Sequence, residues 1–242
     1  MNITAEKQTV GSFVAQDFRT AALFQKYDID FCCKGGQTLD EVCTQKKLEK
    51  TNLVNELEAI IQSTGAANDD FNRWNLDQLI DYIITKHHTY ISEKTPVILT
   101  FLDKLCQVHG SRHPELFEIA KEFHHVAEEL SMHMKKEELI LFPYIKHLVK
   151  AKAGNESLIQ PGFGSVGNPI SMMKEEHSLE GERLAHIAAL SQNYTPPSDG
   201  CTTYQVSFQM LQEFEKDLHL HIHLENNILF PKSIAIEKSM QS

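Results

Sequence analysis

Hydrophobic residues recur every three or four positions along most of the chain, which is the period of an amphipathic α-helix. Three short stretches with this pattern come first, at residues 10–27, 39–47 and 51–61. Much longer apolar stripes begin at Asn75. No stretch alternates with a period of two for long enough to predict a strand. The pattern therefore predicts an all-α fold.

The long stripes predict four helices, and prolines suggest where they begin and end. Pro114 stands at a helix start, and the periodicity that follows runs to Phe142-Pro143, where we expect a break because proline disrupts a helix interior. A third helix spans about 169–192 after a glycine-rich loop, and the last is expected to end near Pro231. Four long amphipathic helices are typical of a bundle.

The boundary between the two parts is predicted in a polar stretch. Residues Ser63 to Asp70 are small or polar and show no periodicity, as linkers do. We therefore predict a small helical domain over residues 1–66 and a four-helix bundle over residues 75–242.

Composition excludes several classes of protein. The formal net charge of −10 argues against a nucleic-acid binder, which needs a basic surface. The apolar runs are shorter than the roughly 20 residues of a membrane span, and the N-terminal residues do not resemble a secretory signal. Five cysteines in such a chain fit a reducing compartment, so we expect a cytoplasmic protein without a membrane partner.

The strongest chemical signal is an internal repeat. Residues 133–143 and 221–231 share the pattern H-x-x-x-E-x-x-I-L-F-P. Histidine and glutamate four positions apart lie on one face of a helix. Each copy also has a histidine 44 to 46 residues upstream, on the preceding predicted helix: His177 for the second copy, and His87 or His88 for the first.

Two such hairpins in one bundle would direct four imidazoles and two carboxylates inward. Six ligands are too many for one closed zinc site, whereas two irons bridged by Glu137 and Glu225 would use them all. The alternative is a structural repeat with packed core histidines. A duplicated motif with equivalent upstream histidines favours the metal site.

Several neighbours compete with these ligands. Periodicity does not separate His87 from His88. The repeat selects His221 over His219 and His223, which we expect to face solvent or to lie behind the ligands. Glu122 and His125 are interpreted as surface or boundary residues. Glu129 and Glu176 are interpreted as ordinary charges on a helix face, with the lining of an access route to the metals as the alternative.

The adjacent Cys32 and Cys33 give a weaker signal. A disulfide between neighbours would be strained. Lys34 and the following Gly35-Gly36 could lower a thiol pKa or expose the thiol, but packed cysteines at a helix end explain the pair as well. We interpret Cys43, Cys106 and Cys201 as small apolar fillers.

With these motifs together, the chain resembles the iron-sulfur cluster repair family, the di-iron "repair of iron centres" proteins. The resemblance covers nearly the whole chain. It is carried by the motifs Tyr27–Cys33, Gly35–Leu39, His133–Glu138, Ser171-Met-Met, Glu176-His177, Cys201-Thr-Thr and His221–Asn227.

The resemblance implies a hemerythrin-like four-helix bundle behind a small cysteine-containing domain. It implies two non-haem iron ions per chain, bridged by an oxo group and carboxylates, with six ligands: His88, His133, Glu137, His177, His221 and Glu225. It thereby selects His88 over His87 and gives Cys32 and Cys33 a functional role. It also implies a homodimer whose partners are damaged iron-sulfur proteins.

The family's role is to restore clusters damaged by nitric oxide or peroxide. Two mechanisms stay open: iron donation through Cys32 and Cys33, or nitric oxide reduction at the metals. The alternative function is a hemerythrin-like oxygen or nitric oxide binder, or a nitric oxide reductase, without a repair role. Such a binder would have no use for the cysteine-containing domain.

Overall fold

The computed structural model describes residues 8–63, 71–154, 157 and 159–240. Within these ranges the chain forms eight helices and no strand. They are α1 (Val10–Gln16), α2 (Thr20–Lys26), α3 (Leu39–Lys46), α4 (Lys50–Gln62), α5 (76–109), α6 (115–152), α7 (Gly167–Leu190) and α8 (202–240). The all-α prediction is confirmed. Apart from Ser63, the predicted linker lies outside the described residues.

Three of the long helices contain a π-helical turn. The turns are Ile83–His88 in α5, Glu137–Leu141 in α6 and Glu225–Leu229 in α8. Single π-helical turns are rare and are frequent at functional sites.

The predicted helix ends at the two Phe-Pro steps are wrong. Helix α6 continues through Pro143 to Lys152, and α8 continues through Pro231 to Met240. In both cases a π-helical turn ends two residues before the proline. The amide N–H of Phe142 donates to the carbonyl of Glu137, five residues back, and the widened backbone accommodates a proline that a regular helix would reject.

The chain divides into two compact units, residues 1–79 with 222–242 and residues 80–221. The second unit contains most of the four long helices. Phe214 of α8 packs against Phe123 of α6 and Tyr90 of α5, with ring centroids 5.1 and 6.4 Å apart. This aromatic layer belongs to the buried core that aligns the inward faces of the four helices.

The first unit contains α1 to α4 and the end of α8. Its core includes the ring pair Phe13 and Phe24. Helix α3 begins with the predicted capping box: the Thr38 side chain accepts a hydrogen bond from the Glu41 amide, and the Glu41 carboxylate accepts one from the Thr38 amide. The cap fixes where the chain leaves the Cys-Cys segment.

Candidate metal centre

Four buried histidines from four helices face one another in two pairs within the second unit. His88 of α5 and His221 of α8 have their Nε2 atoms 3.2 Å apart. His133 of α6 and His177 of α7 have theirs 3.0 Å apart. All four histidine residues are at most 3% exposed. In each pair the same ring nitrogen points inward.

The carboxylate of Glu137 lies between the two pairs. Its Oε2 is 3.4 Å from Nε2 of His88 and 3.3 Å from Nε2 of His133. The residue is fully buried. A carboxylate so far from water is stabilised when it is paired or binds a metal. Glu137 is therefore placed to serve both histidine pairs at once.

The donor set and its spacing fit transition-metal ions. Imidazole and carboxylate are ligands that suit non-haem iron. Ligand atoms about 2.1 Å from an ion and about 90° apart are about 3.0 Å from each other, which matches the two Nε2···Nε2 distances. Within the second unit the ligand atoms of His88, His221 and Glu137, and those of His133, His177 and Glu137, lie within 4.8 Å of one another.

Two further carboxylates hold the outer edges of the histidines. Glu138 Oε1 lies 2.7 Å from Nδ1 of His88, and Glu176 Oε2 lies 2.8 Å from Nδ1 of His133. Such contacts fix the proton on Nδ1 and leave Nε2 as the ligand atom. The hydrogen bond with His133 and the ion pair with Lys136 lower the pKa of Glu176 to about 2 although burial opposes this.

These partners correct the sequence interpretation. Glu176 is not an ordinary charge on a helix face, and Glu138, which the sequence motifs do not single out, has the same role. The signal was present, because each follows or precedes a ligand by one residue, but periodicity does not show which surface glutamate turns towards a ring. His125 is exposed, whereas Glu122 is half-buried at the boundary, with its Oε2 3.0 Å from Nη1 of Arg183.

The structure separates His87 from His88. The ring of His87 is buried and stacks parallel to that of His221, with centroids 5.7 Å apart, while its Nδ1 lies 3.1 Å from Asp217 Oδ1. His87 therefore backs a candidate ligand, and His88 takes the inward position.

The candidate ligands coincide with the π-helical turns. His88 ends the turn in α5, Glu137 begins the turn in α6, and Glu225 begins the turn in α8. The widened turn changes the direction of the side chain it carries relative to a regular helix. Local irregularity thus occurs at three of the six predicted ligands.

The position of Glu225 follows from the course of helix α8. It follows His221 by one turn in the same continuous helix and is fully buried. The division between the two compact units falls inside this helix, after His221, so Glu225 is grouped with the first unit. The N-terminal segment that carries the cysteine pair belongs to that same unit.

The cysteine pair forms a small cluster with Asp30. Both backbone amides donate to Asp30 Oδ1, from Cys32 at 3.1 Å and from Cys33 at 2.8 Å. The two sulfur atoms are 3.8 Å apart, and the two cysteines are not joined by a disulfide. One sulfur from each cysteine and one oxygen of Asp30 lie within 4.8 Å of one another, a spacing that could hold a cation.

Cys32 is not an activated thiol. The contact with Cys33 and burial raise the pKa of Cys32 well above its ordinary value, so the possibility that Lys34 lowers a thiol pKa does not hold for Cys32. Cys33 is partly exposed. The pair thus combines a buried protonated sulfur with an accessible one.

Asparagines in the π-helical turn of α8 hold the cysteine segment. Asn226 donates to the carbonyl of Cys32 at 3.4 Å, and Asn227 donates to the carbonyls of Phe31 and Cys32 at 3.3 Å. A Cβ atom on Gly11 or on Gly35 would come within 2.6 Å of the Asn227 side-chain oxygen. Asn227 therefore fits only because both of these neighbours are glycine.

The sequence left two positions open for His223, facing solvent or lying behind the ligands. His223 is buried in this contact, so the solvent-facing position is wrong. Its Nδ1 lies 3.1 Å from the Asn227 amide nitrogen, and its ring packs edge-on against Phe31. Burial lowers the pKa of His223 to about 4, so the imidazole is neutral. His219 is half-buried.

Of the three cysteines interpreted as fillers, two behave as such. Cys43 is buried and Cys106 is half-buried, whereas Cys201 is exposed. No helix within the described ranges is long and apolar enough to cross a membrane.

Comparison with known proteins identifies the family to which this fold belongs. Residues 79–233 match the model of the hemerythrin HHE cation binding domain, and residues 6–61 match that of ScdA_N, a domain of unknown function. Fold and site together define a hemerythrin-like metal-binding protein with an added N-terminal helical domain.

Relatives over the full length make the assignment more specific. The iron-sulfur cluster repair protein YtfE of Enterobacter sp. (strain 638) is 36% identical over 231 residues, covering 95% of this chain and 98% of the relative. The proteins of the same name from Yersinia pestis and Yersinia pseudotuberculosis are 35% identical with the same coverage. The chain belongs to this family of iron-sulfur cluster repair proteins, which confirms the resemblance found in the sequence.

Proposed function

We propose that this protein repairs iron-sulfur clusters damaged by nitrosative or oxidative stress, using iron held in a non-haem di-iron centre. The proposal rests on one observation: two pairs of buried histidines share the carboxylate of Glu137. The family supports the repair role, because its relatives are named iron-sulfur cluster repair proteins.

In this proposal each iron takes one histidine pair and both carboxylates. His88 and His221 bind one ion, and His133 and His177 bind the other. Glu137 and Glu225 bridge them, with an oxo group as a further bridge. The internal repeat supports Glu225, because it occupies the position in the second copy that Glu137 occupies in the first. Bound iron supplies the ion that a damaged cluster has lost.

The protein's own residues keep this iron available for transfer. The set contains neutral imidazoles and carboxylates and no thiolate, and thiolate ligands are characteristic of iron-sulfur clusters. Glu138 and Glu176 hold two of the histidines with Nε2 directed inward, which favours binding. The iron is thus held by ligands that the cysteines of a damaged iron-sulfur cluster site can outcompete.

Cys32 and Cys33 are proposed as the next ligands for the departing iron. They belong to the same compact unit as Glu225, and Asn226, the residue after Glu225, donates a hydrogen bond to the carbonyl of Cys32. An arriving cation would displace the Cys32 proton, since metals bind cysteine as the thiolate. Asp30 adds an oxygen ligand to the two sulfurs.

The partners in this proposal are iron-sulfur proteins that have lost iron, and a second copy of the chain forms the homodimer that the resemblance implies. The location is the cytoplasm, where free thiols persist.

The test combines iron content with repair. Protein from iron-replete cells is assayed for iron and then mixed, without added iron, with a hydro-lyase whose [4Fe–4S] cluster has been damaged by peroxide. We expect about two irons per chain and recovery of hydro-lyase activity. The Glu137→Leu variant should lose both iron and repair, because it removes the carboxylate shared by the histidine pairs.

The cysteine pair is tested in the same assay. Cys32→Ser/Cys33→Ser should keep about two irons per chain while repair falls by about tenfold or more, because soft ligands on the exit route are lost. Cys43→Ser, a free buried cysteine of the same unit, is the matched control. Full repair by the double variant would refute the thiol route. An iron-loaded wild-type protein without repair activity would instead support the oxygen or nitric oxide binder.

A further inference from the structure

A second group of reactive side chains lies far from the metal centre, where α8 begins. Cys201 directly precedes the first residue of α8, Thr202, and is exposed. The candidate ligand His221 follows 20 residues later in the same helix, about 30 Å away along its axis. Whatever Cys201 does, it does not act as part of the metal site.

His109, the last residue of α5, contacts the sulfur of Cys201. Its Nε2 lies 3.2 Å from Sγ. His109 is only 4% exposed. The rings of His113 and Tyr204 pack edge-on against it, with centroids 6.4 and 5.5 Å away. The imidazole is therefore held in place, whereas the sulfur it contacts is open to solvent.

The start of helix α8 also stabilises negative charge on this sulfur. The carbonyl of Cys201 accepts the first helical bond, from the amide of Gln205 at 3.2 Å, so Cys201 occupies the capping position. There the amides of the first helical turn point at the side chain. The hydrogen bond with His109 and those with the backbone of Tyr204 and Thr203 lower the pKa of Cys201 to about 7.

The buried ring acts as a neutral donor. Within the described part of the chain, Nδ1 of His109 has no hydrogen-bond partner. An imidazolium would bury a second N–H without an acceptor, which is costly. The arrangement that fits is a Cys201 thiolate accepting a hydrogen bond from the Nε2–H of an uncharged His109.

Nearby charges are paired with one another. Arg112 Nη1 lies 3.1 Å from Asp199 Oδ2, and His113 lies between Asp199 at 3.1 Å and Glu115 at 3.2 Å. These groups come from the loop after α5, the start of α6 and the loop before α8. Because the two acids are paired in this way, their repulsion of a thiolate is reduced.

Cys106 provides an internal comparison. It lies one turn before His109 in α5, and its Sγ contacts the carbonyl of Leu116 at 3.4 Å. Burial raises the pKa of Cys106. The same unit thus holds one cysteine built as a thiolate and one held as a thiol.

We propose that Cys201 is a thiol-modification site that reacts with small disulfides of the glutathione disulfide class. The Cys201 thiolate attacks one sulfur of the disulfide, the S–S bond breaks, and a mixed disulfide forms at Cys201. The second half leaves as a thiolate and takes a proton from solvent. Cys201 is oxidised and the departing thiol is reduced, so the disulfide is the only oxidant required. This proposal does not depend on the repair function.

The test is the pH profile of mixed-disulfide formation. The iron-loaded full-length protein is incubated with glutathione disulfide between about pH 5.5 and 9.5, quenched with acid, and the Cys201 and Cys106 peptides are quantified by mass spectrometry. We expect the Cys201 rate to rise with a midpoint near pH 7. At pH 7, Cys106 should react at least about tenfold more slowly.

The role of the imidazole is tested with His109→Phe, which keeps a flat ring and removes the donor. The midpoint for Cys201 should move up by about one pH unit, towards the ordinary value near 8.5. A second measurement leaves the buried ring intact: the thiolate absorbance near 240 nm of wild type minus that of Cys201→Ser, followed against pH. A midpoint near 8.5 in that difference, or Cys106 reacting as fast as Cys201, would overturn the proposal.

Discussion

Removing the carboxylates behind the histidines should weaken iron binding without touching a ligand. The changes are Glu138→Ala, which releases Nδ1 of His88, and Glu176→Ala, which releases Nδ1 of His133. Each ring then loses the contact that fixes its tautomer and its orientation. Losing such a partner typically lowers metal affinity about 10- to 100-fold, or about 1.4 to 2.8 kcal/mol.

The structure predicts unequal effects. The side chain of Glu176 is 24% exposed and is also paired with Lys136, whereas that of Glu138 is 40% exposed. Because a more buried charged hydrogen bond is screened less by water, Glu176→Ala should lie near the upper end of that range and Glu138→Ala near the lower end.

The assay is competition for iron with a coloured ferrous chelator, which resolves iron that leaves easily from iron that is retained. Each variant should release about one iron per chain at lower chelator concentration than wild type, because each carboxylate supports one histidine pair. Glu175→Ala, the exposed neighbour of Glu176, is the control. Affinities within about twofold of wild type for Glu176→Ala would refute the positioning role.

Two further predictions concern stability. Burial raises the pKa of Glu180 to about 7, so between about pH 4.3 and 7 the folded state holds a proton that the unfolded state releases, and stability falls as pH rises. Glu180→Gln should remove this loss of stability. At pH 8 the free energy of unfolding of Glu180→Gln, from thermal unfolding, should exceed that of the exposed control Glu182→Gln by about 1 to 3 kcal/mol. A stability difference between the two variants that does not grow with pH would contradict the prediction. Gly35→Ala should cost about 1 to 3 kcal/mol, since its Cβ would lie 2.5 Å from the Phe31 carbonyl oxygen, while Gly36→Ala, with open space around it, should be neutral in denaturant titration; equal effects would refute the close approach.

The sequence patterns were sufficient to predict the helical fold and three of the inward-facing histidines, but they left His87 and His88 open and placed two helix ends too early. A spacing of four residues places His133 and Glu137 on one helix face whatever the surrounding fold, and an amphipathic stripe tells which face is buried. The repeat then identified the equivalent pair, His221 and Glu225. Local geometry alone carries these inferences, and for His133 and Glu137 the structure agrees.

The rest depends on contacts between residues distant in sequence. His223 is buried because Phe31, nearly 200 residues earlier, packs on its ring. Glu176 reaches His133 on a different helix, and Cys201 meets His109 across 92 residues. Periodicity gives the direction of a side chain relative to its own helix, and it gives no information about which residue of another element contacts that side chain.

The proline that closes each repeat has a consequence for how firmly the ligands keep their direction. Pro143 and Pro231 directly follow the π-helical bonds from Phe142 to Glu137 and from Phe230 to Glu225. If such a turn tightened into a regular helix, an ordinary residue at the proline position would gain a bond worth about 0.5 to 1.5 kcal/mol, but proline has no N–H to donate. Because proline cannot form this hydrogen bond, the regular-helix register gains no stability over the π-helical turn. A shift of one residue into that register would rotate the glutamate side chain by about 100° around the helix axis, so the proline helps to keep the glutamate in its direction.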